Sequence, residues 1–112
     1  MICVYIYLMR IRKPLNIENE DDTLLMAQIA NALSHPVRIA LLNYVKSKNT
    51  VRNDVCNKDL VAHFPYSQSS LSQHVKKLVD AQLFTVEYKD KYSFYSVNKD
   101  TLNRYIELLQ SL

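Results

Sequence analysis

The stretch from Ser67 to Asn98 constrains this chain more than any other: an amphipathic helix is followed at once by a two-stranded hairpin. From Ser67 to Ala81 the apolar positions Leu71, Val75, Leu78 and Val79 recur at helical spacing, which lays one stripe against a core. The other face carries Ser69, Ser72, Gln73, Lys76 and Asp80. Short hydroxyls and an amide near the helix start, with lysines further along, suit base edges and phosphates respectively. Beyond the helix, Leu83-Phe84-Thr85-Val86-Glu87-Tyr88 and Tyr92-Ser93-Phe94-Tyr95-Ser96-Val97 are β-rich runs. The charged turn Lys89-Asp90-Lys91 joins them into a hairpin.

Upstream, Leu24, Leu25, Gln28, Ile29, Ala32 and Leu33 give a helical period from about Asp21 to Leu33. The acidic Glu18, Glu20, Asp21 and Asp22 suit the positive end of that helix. Ser34-His35-Pro36 breaks it, with His35 at the cap position and Pro36 favourable as the first residue of a second helix. That helix carries Val37, Ile39, Ala40, Leu41, Leu42, Tyr44 and Val45, apolar enough to be central. A short third helix runs from Asn57 or Lys58 to His63, Pro65-Tyr66 makes a turn, and Ser67 caps the next helix. Two helices joined by a tight turn, the second with a polar outer face, form a helix-turn-helix pattern. A last helix from Lys99 to Leu112 shows Leu102, Tyr105, Ile106, Leu108 and Leu109. The expected fold is therefore mainly α with a β-hairpin wing: a winged helix-turn-helix of about five helices and two strands.

At 112 residues the chain is one domain's worth. Residues 18–112 are expected to form a single DNA-binding and dimerisation domain, with 1–17 as an N-terminal arm. The apolar opening from Met1 to Met9 is about half of what a bilayer span needs. Its positive charges, Arg10, Arg12 and Lys13, follow the apolar run, which is wrong for a signal peptide. An arm packed on the domain, or a true start at Met9, accounts for this segment, and a cytoplasmic protein without membrane contact is expected. There is no glycine, so glycine-rich phosphate cradles are excluded. No serine stands in a nucleophile elbow, and neither a Cys–His pair nor paired carboxylates suggest a cleft, so no enzyme is expected. The net charge of +3 permits DNA binding without demanding it.

With these elements in place, Ala32-Leu33-Ser34-His35-Pro36-Val37-Arg38-Ile39-Ala40-Leu41-Leu42 resembles the start of the arsenic-repressor type (ArsR) of bacterial winged-helix regulators. Ser67-Gln68-Ser69-Ser70-Leu71-Ser72-Gln73-His74-Val75-Lys76-Lys77-Leu78 is similar to that family's recognition helix, and Phe94-Tyr95-Ser96-Val97 resembles its second wing strand. Asp80-Ala81-Gln82-Leu83-Phe84 stands where the family usually has Glu-Ala-Gly-Leu-Val, so Gln82 replaces a glycine. The match covers roughly residues 20–112. It implies a homodimer formed through the first and last helices on a two-fold operator of double-stranded DNA, with the inducer left open.

The residues expected to touch DNA are Gln68, Ser69, Ser72, Gln73, Lys76 and Lys77 on the helix, with Lys89 and Lys91 at the wing tip. Those expected at the dimer interface are Leu24, Leu25, Leu102, Tyr105, Ile106 and Leu109; the plainer reading is that these helices only close the monomer's core. The resemblance also implies a metal site with a Cys-any-Cys-Asp-Leu motif, but the matching stretch is Cys56-Asn57-Lys58-Asp59-Leu60. A lysine cannot ligate a soft metal without losing its proton. A second family site needs a histidine on the last helix, which has Asp100 and Glu107 but none. Cys3 reaching over from the arm would bring the thiols only to two, so neither a metal nor a cofactor is expected. A thiol-based redox switch at Cys56, with Lys58 and Arg52 lowering the thiol pKa, is one alternative; a small buried apolar cysteine is the plainer one. His74 at the edge of the polar face reads as a packed histidine, and His63 as the cation ending the third helix. A winged helix that binds protein instead of DNA is the remaining competitor.

Overall fold

The computed structural model describes residues 20–49 and 55–112. The expected arm at 1–17, together with Cys3 and Arg52, lies outside the described residues. The order is α1 (Glu20–Ala32), α2 (Pro36–Lys48), β1 (Val55–Cys56), α3 (Asn57–His63), α4 (Gln68–Asp80), β2 (Phe84–Lys89), β3 (Tyr92–Val97) and α5 (Lys99–Gln110).

Local chemistry explains the boundaries. His35 caps α2 by accepting the Val37 N–H on Nδ1 at 3.2 Å, and Pro36 opens the helix where its missing N–H costs nothing. The Asp59 carboxylate accepts the Cys56 N–H at 3.0 Å and so satisfies one free donor at the start of α3. Ser67 Oγ accepts the Ser70 N–H at 3.2 Å to start α4, and Asn98 Oδ1 accepts the Thr101 N–H at 3.3 Å to start α5.

The hairpin pairs Phe84 with Val97 through to Lys89 with Tyr92, which leaves Asp90 and Lys91 as a two-residue turn. Such turns need positive φ, and Asp90 supplies it at 56°, one of the few side chains that tolerates this region. The sheet has a third strand that the sequence pattern did not announce. Val55 and Cys56 pair antiparallel with Tyr95 and Phe94, giving the order β1-β3-β2. A two-residue strand is too short to show an alternation, so it is visible only once β3 stands beside it.

One core unites these layers. Ile29 and Ala32 from α1, Leu41 and Val45 from α2, Leu60 from α3, and Leu71, Val75 and Leu78 from α4 are buried together with Val55, Leu83, Phe84 and Val97. Asn49, just past α2, accepts the Val97 N–H on its side chain at 2.9 Å and ties the end of α2 to the base of the wing. Helix α5 returns beside α1, where Arg104 meets Asp22 at 2.8 Å. Leu25, Leu102 and Tyr105 pack half-buried against the domain's own core, whereas Leu24, Ile106 and Leu109 remain exposed.

Candidate nucleic-acid interface

Helix α4 is held from below and left free above. Leu71, Val75 and Leu78 are buried, and the helix packs on α2, α3 and β2. Gln68, Ser69, Ser72, Gln73, Lys76 and Lys77 are all exposed, so each expected contact on this helix is accessible. They are not equivalent. At 100° per residue, Ser69, Gln73 and Asp80 stand outermost, opposite the buried stripe, with Lys76 and Lys77 on either side of them. Gln68 and Ser72 lean toward the wing, where they line a cleft with Asn57, Lys91 and Ser93. Lys77 lies on the other flank, lining a small cavity with Gln28 and Asn31 of α1.

The wing presents its lysines folded over aromatic rings. Lys91 Nζ lies 5.9 Å from the Tyr92 ring centroid, and Lys89 Nζ lies 5.9 Å from that of Phe94. Sequence reasoning missed a third cation here. Lys58, at the start of α3, donates to the Tyr92 hydroxyl at 3.0 Å and sits 4.6 Å from the ring centroid. That hydrogen bond raises the Lys58 pKa above its ordinary value and keeps the ammonium charged. The two residues are 34 apart in sequence, so no local pattern could have paired them.

The histidines pack as side chains of the scaffold. His74 meets His35 with ring centroids 4.5 Å apart, where α4 crosses the start of α2. Burial first, and then the neighbouring His35 and Arg38, pushes the His74 imidazole below its ordinary pKa. His63 stacks on Tyr44 at 4.3 Å and meets Phe64 edge-on at 5.0 Å.

The start of α3 carries Cys56, Asn57, Lys58 and Asp59 in succession. Cys56 is half-buried and its Sγ donates to Asn57 Oδ1 at 3.2 Å, while the neighbouring Lys58 is turned to Tyr92. The stretch offers one thiol beside an amide, an ammonium and the carboxylate that accepts the Cys56 N–H. Among the described residues no group of three or more His, Cys, Asp and Glu side chains is placed to hold a metal ion. None of the described helices is long and apolar enough to cross a membrane.

Comparison with known proteins bears on this surface directly. The family described as bacterial regulatory protein, arsR family, matches residues 35–85, from the cap of α2 through α4 to the start of the wing. An arsenical resistance operon repressor of Staphylococcus xylosus is 32% identical over 78 residues, which is 70% of each chain. Another from Staphylococcus aureus is 31% identical over 84 residues, 75% of this chain and 76% of its own. Among solved structures, an ArsR-like transcriptional regulator from Rhodococcus sp. RHA1 superposes with a TM-score of 0.68 at 20% identity, covering 80% of this chain and 79% of its own. At that identity the superposition speaks for the fold, and it is the same winged helix.

Proposed function

The chain belongs to the arsR family of bacterial regulatory proteins, and from that premise we propose a homodimeric repressor that reads a two-fold operator with α4 and is not triggered by a thiolate-bound metal. The family makes it a DNA-binding transcription regulator; the arrangement of the contacts and the assembly are our reading. The observation that carries it is the outer row of α4. Ser69 and Gln73, flanked by Lys76, stand exposed over a stripe buried at Leu71, Val75 and Leu78, so the row is presented by a rigid support. Gln73 in the helix interior can pair both polar atoms of its amide with adenine in the major groove. Ser69 and Ser72 offer hydroxyls to neighbouring base edges, and Lys76 reaches the backbone.

Dimerisation through α1 and α5 is supported by what the monomer leaves uncovered. Leu24 is 36% exposed, Ile106 and Leu109 each 43%, and Leu112 89%. A second copy covering these side chains would place two α4 helices for two half-sites, as two-fold operators require. The relatives from Staphylococcus are named repressors of arsenical resistance operons, which supports repression as the output. The single thiol at Cys56, bonded to Asn57 and followed by the Lys58 ammonium, supports a trigger other than a metal held by clustered thiolates.

Selection of duplexes from a random pool by the full-length protein tests this reading. The expected result is an inverted repeat with half-sites about one helical turn apart, and affinity falling steeply with salt. A pool with no enriched motif and an affinity indifferent to salt would replace it with a protein-interaction module.

A further inference from the structure

Two cavities beside the wing share Asn57, Val61, Gln68 and Lys91 in their walls, and so form one continuous cleft between α3, the start of α4 and β3. Its rim gathers cations. Lys58 and Lys91 both hold their ammonium groups over the single ring of Tyr92, at 4.6 and 5.9 Å from its centroid. Among the described residues neither ammonium is paired with a carboxylate. Two like charges converging on one phenol with no anion between them are an incomplete arrangement. The hydroxyl of Tyr92 accepts from Lys58, and its own proton remains to be given away. A donor that is itself hydrogen-bonded to a cation is polarised toward a better one. Gln68, the first residue of α4, adds an amide and the positive end of a thirteen-residue helix to the same cleft.

We propose that this cleft clamps one phosphate of the DNA backbone, with Lys58, Lys91 and the Tyr92 hydroxyl as its ligands, on the flank of the face that reads bases. The inference rests on the DNA-binding reading above and adds Lys58 and Tyr92 to the contacts. A diester phosphate fits because it is a single exposed anion on a continuous strand, and the cleft is open along its length. Its place between the wing and the start of α4 puts it beside a strand whose bases Ser72 and Gln73 face. The clamp fixes register without reading sequence.

The test measures affinity against potassium chloride concentration, using the full-length protein and the tightest duplex it selects from a random pool. Lys58→Met keeps the aliphatic stem and removes the charge. With one Lys58 per half-site of the dimer, it should lower the slope of log affinity against log salt by about 1.8, which is a loss of roughly thirtyfold at 0.15 M salt. Lys58→Arg should restore the slope. Tyr92→Phe should weaken binding with the slope unmoved, since it removes a neutral donor. A scan of the duplex with single methylphosphonate linkages should find one position in each half-site that weakens the wild-type protein and not Lys58→Met. An unchanged slope in Lys58→Met, with binding intact, would overturn the clamp while leaving DNA recognition in place. A loss of affinity shared by Lys58→Met and Tyr92→Phe with neither slope altered would do the same, since it marks a strap that only braces the wing. Failure of the wild-type protein to bind any duplex would overturn both readings together.

Discussion

Replacing Gln82 by glycine should make this protein more stable. Gln82 has φ of 62°, in the left-handed region, immediately after α4. The hydrogen bonds explain why the chain is held there. The Leu83 N–H donates to the Leu78 carbonyl at 3.0 Å, and the Gln82 N–H donates to that of Val79 at 2.9 Å. This is the paired closure that ends many helices and that glycine favours at the left-handed position. A side chain with a Cβ pays roughly 1–2 kcal/mol for that conformation. Glycine removes the strain but gives about 0.4–1 kcal/mol back through the freedom of the unfolded chain. The exposed Gln82 side chain contributes no packing to set against this. The net expectation for Gln82→Gly is a gain of roughly 0.5–1 kcal/mol, hence a midpoint about 2–6 °C higher for a domain of this size. Gln82→Ala keeps the Cβ and should change little. Thermal and urea unfolding at one fixed protein concentration, because assembly shifts the midpoint, would measure both variants. A Gln82→Gly protein no more stable than Gln82→Ala would refute the strain argument.

Three further outcomes concern the exposed α5 face, the Cys56 thiol and the His35–His74 pair. Ile106→Glu combined with Leu109→Glu should convert the protein to monomers in sedimentation at micromolar concentration and abolish tight operator binding, while leaving the helical circular dichroism in place; a wild-type protein that is monomeric at high concentration would remove the basis for this. Zinc, cadmium or arsenite should change DNA affinity by no more than a few-fold; tight stoichiometric zinc binding abolished by Cys56→Ser would overturn that. His74 has its pKa lowered by burial and by His35 and Arg38, so below about pH 6.5 the unfolded chain binds this proton more readily than the native one. Stability should fall as pH drops from 6.5 toward the lower native value, and His74→Gln should flatten that part of the profile; parallel pH profiles for the two proteins would show that the His35–His74 contact carries no such linkage.

Much of the fold was legible because its signals are local. The caps at His35 and Ser67, the proline at the start of α2 and the periodic stripe of α4 each involve residues within a few positions of one another. The hairpin was legible from a short charged turn between two β-rich runs, though Lys89 pairs with Tyr92 and the turn is Asp90 and Lys91 alone. What escaped is long-range or too short to have a pattern. The β1 strand is two residues long and exists through its pairing with Tyr95 and Phe94. The Lys58–Tyr92 bond joins α3 to the wing across the intervening helix. At the surface, the sequence placed Lys76 and Lys77 together as neighbours, but the turn of the helix sends Lys77 toward Gln28 and Asn31 of α1. Similarly, Leu102 and Tyr105 are apolar enough for an interface, yet both are partly buried against the domain's own core.

The central claim is that the outer row of α4 reads bases while the lysines beside it hold the backbone. Fluorescence anisotropy with the selected duplex and with single-base variants of it, for the wild-type protein, Gln73→Ala and Lys76→Ala, tests that claim most directly. The account predicts that Gln73→Ala costs roughly 1–3 kcal/mol per half-site on the best duplex and relaxes preference at one base pair in each, whereas Lys76→Ala weakens all duplexes alike and lowers the salt slope by about one per protomer. Base preference that survives Gln73→Ala and changes in Lys76→Ala would contradict the orientation of the helix on DNA.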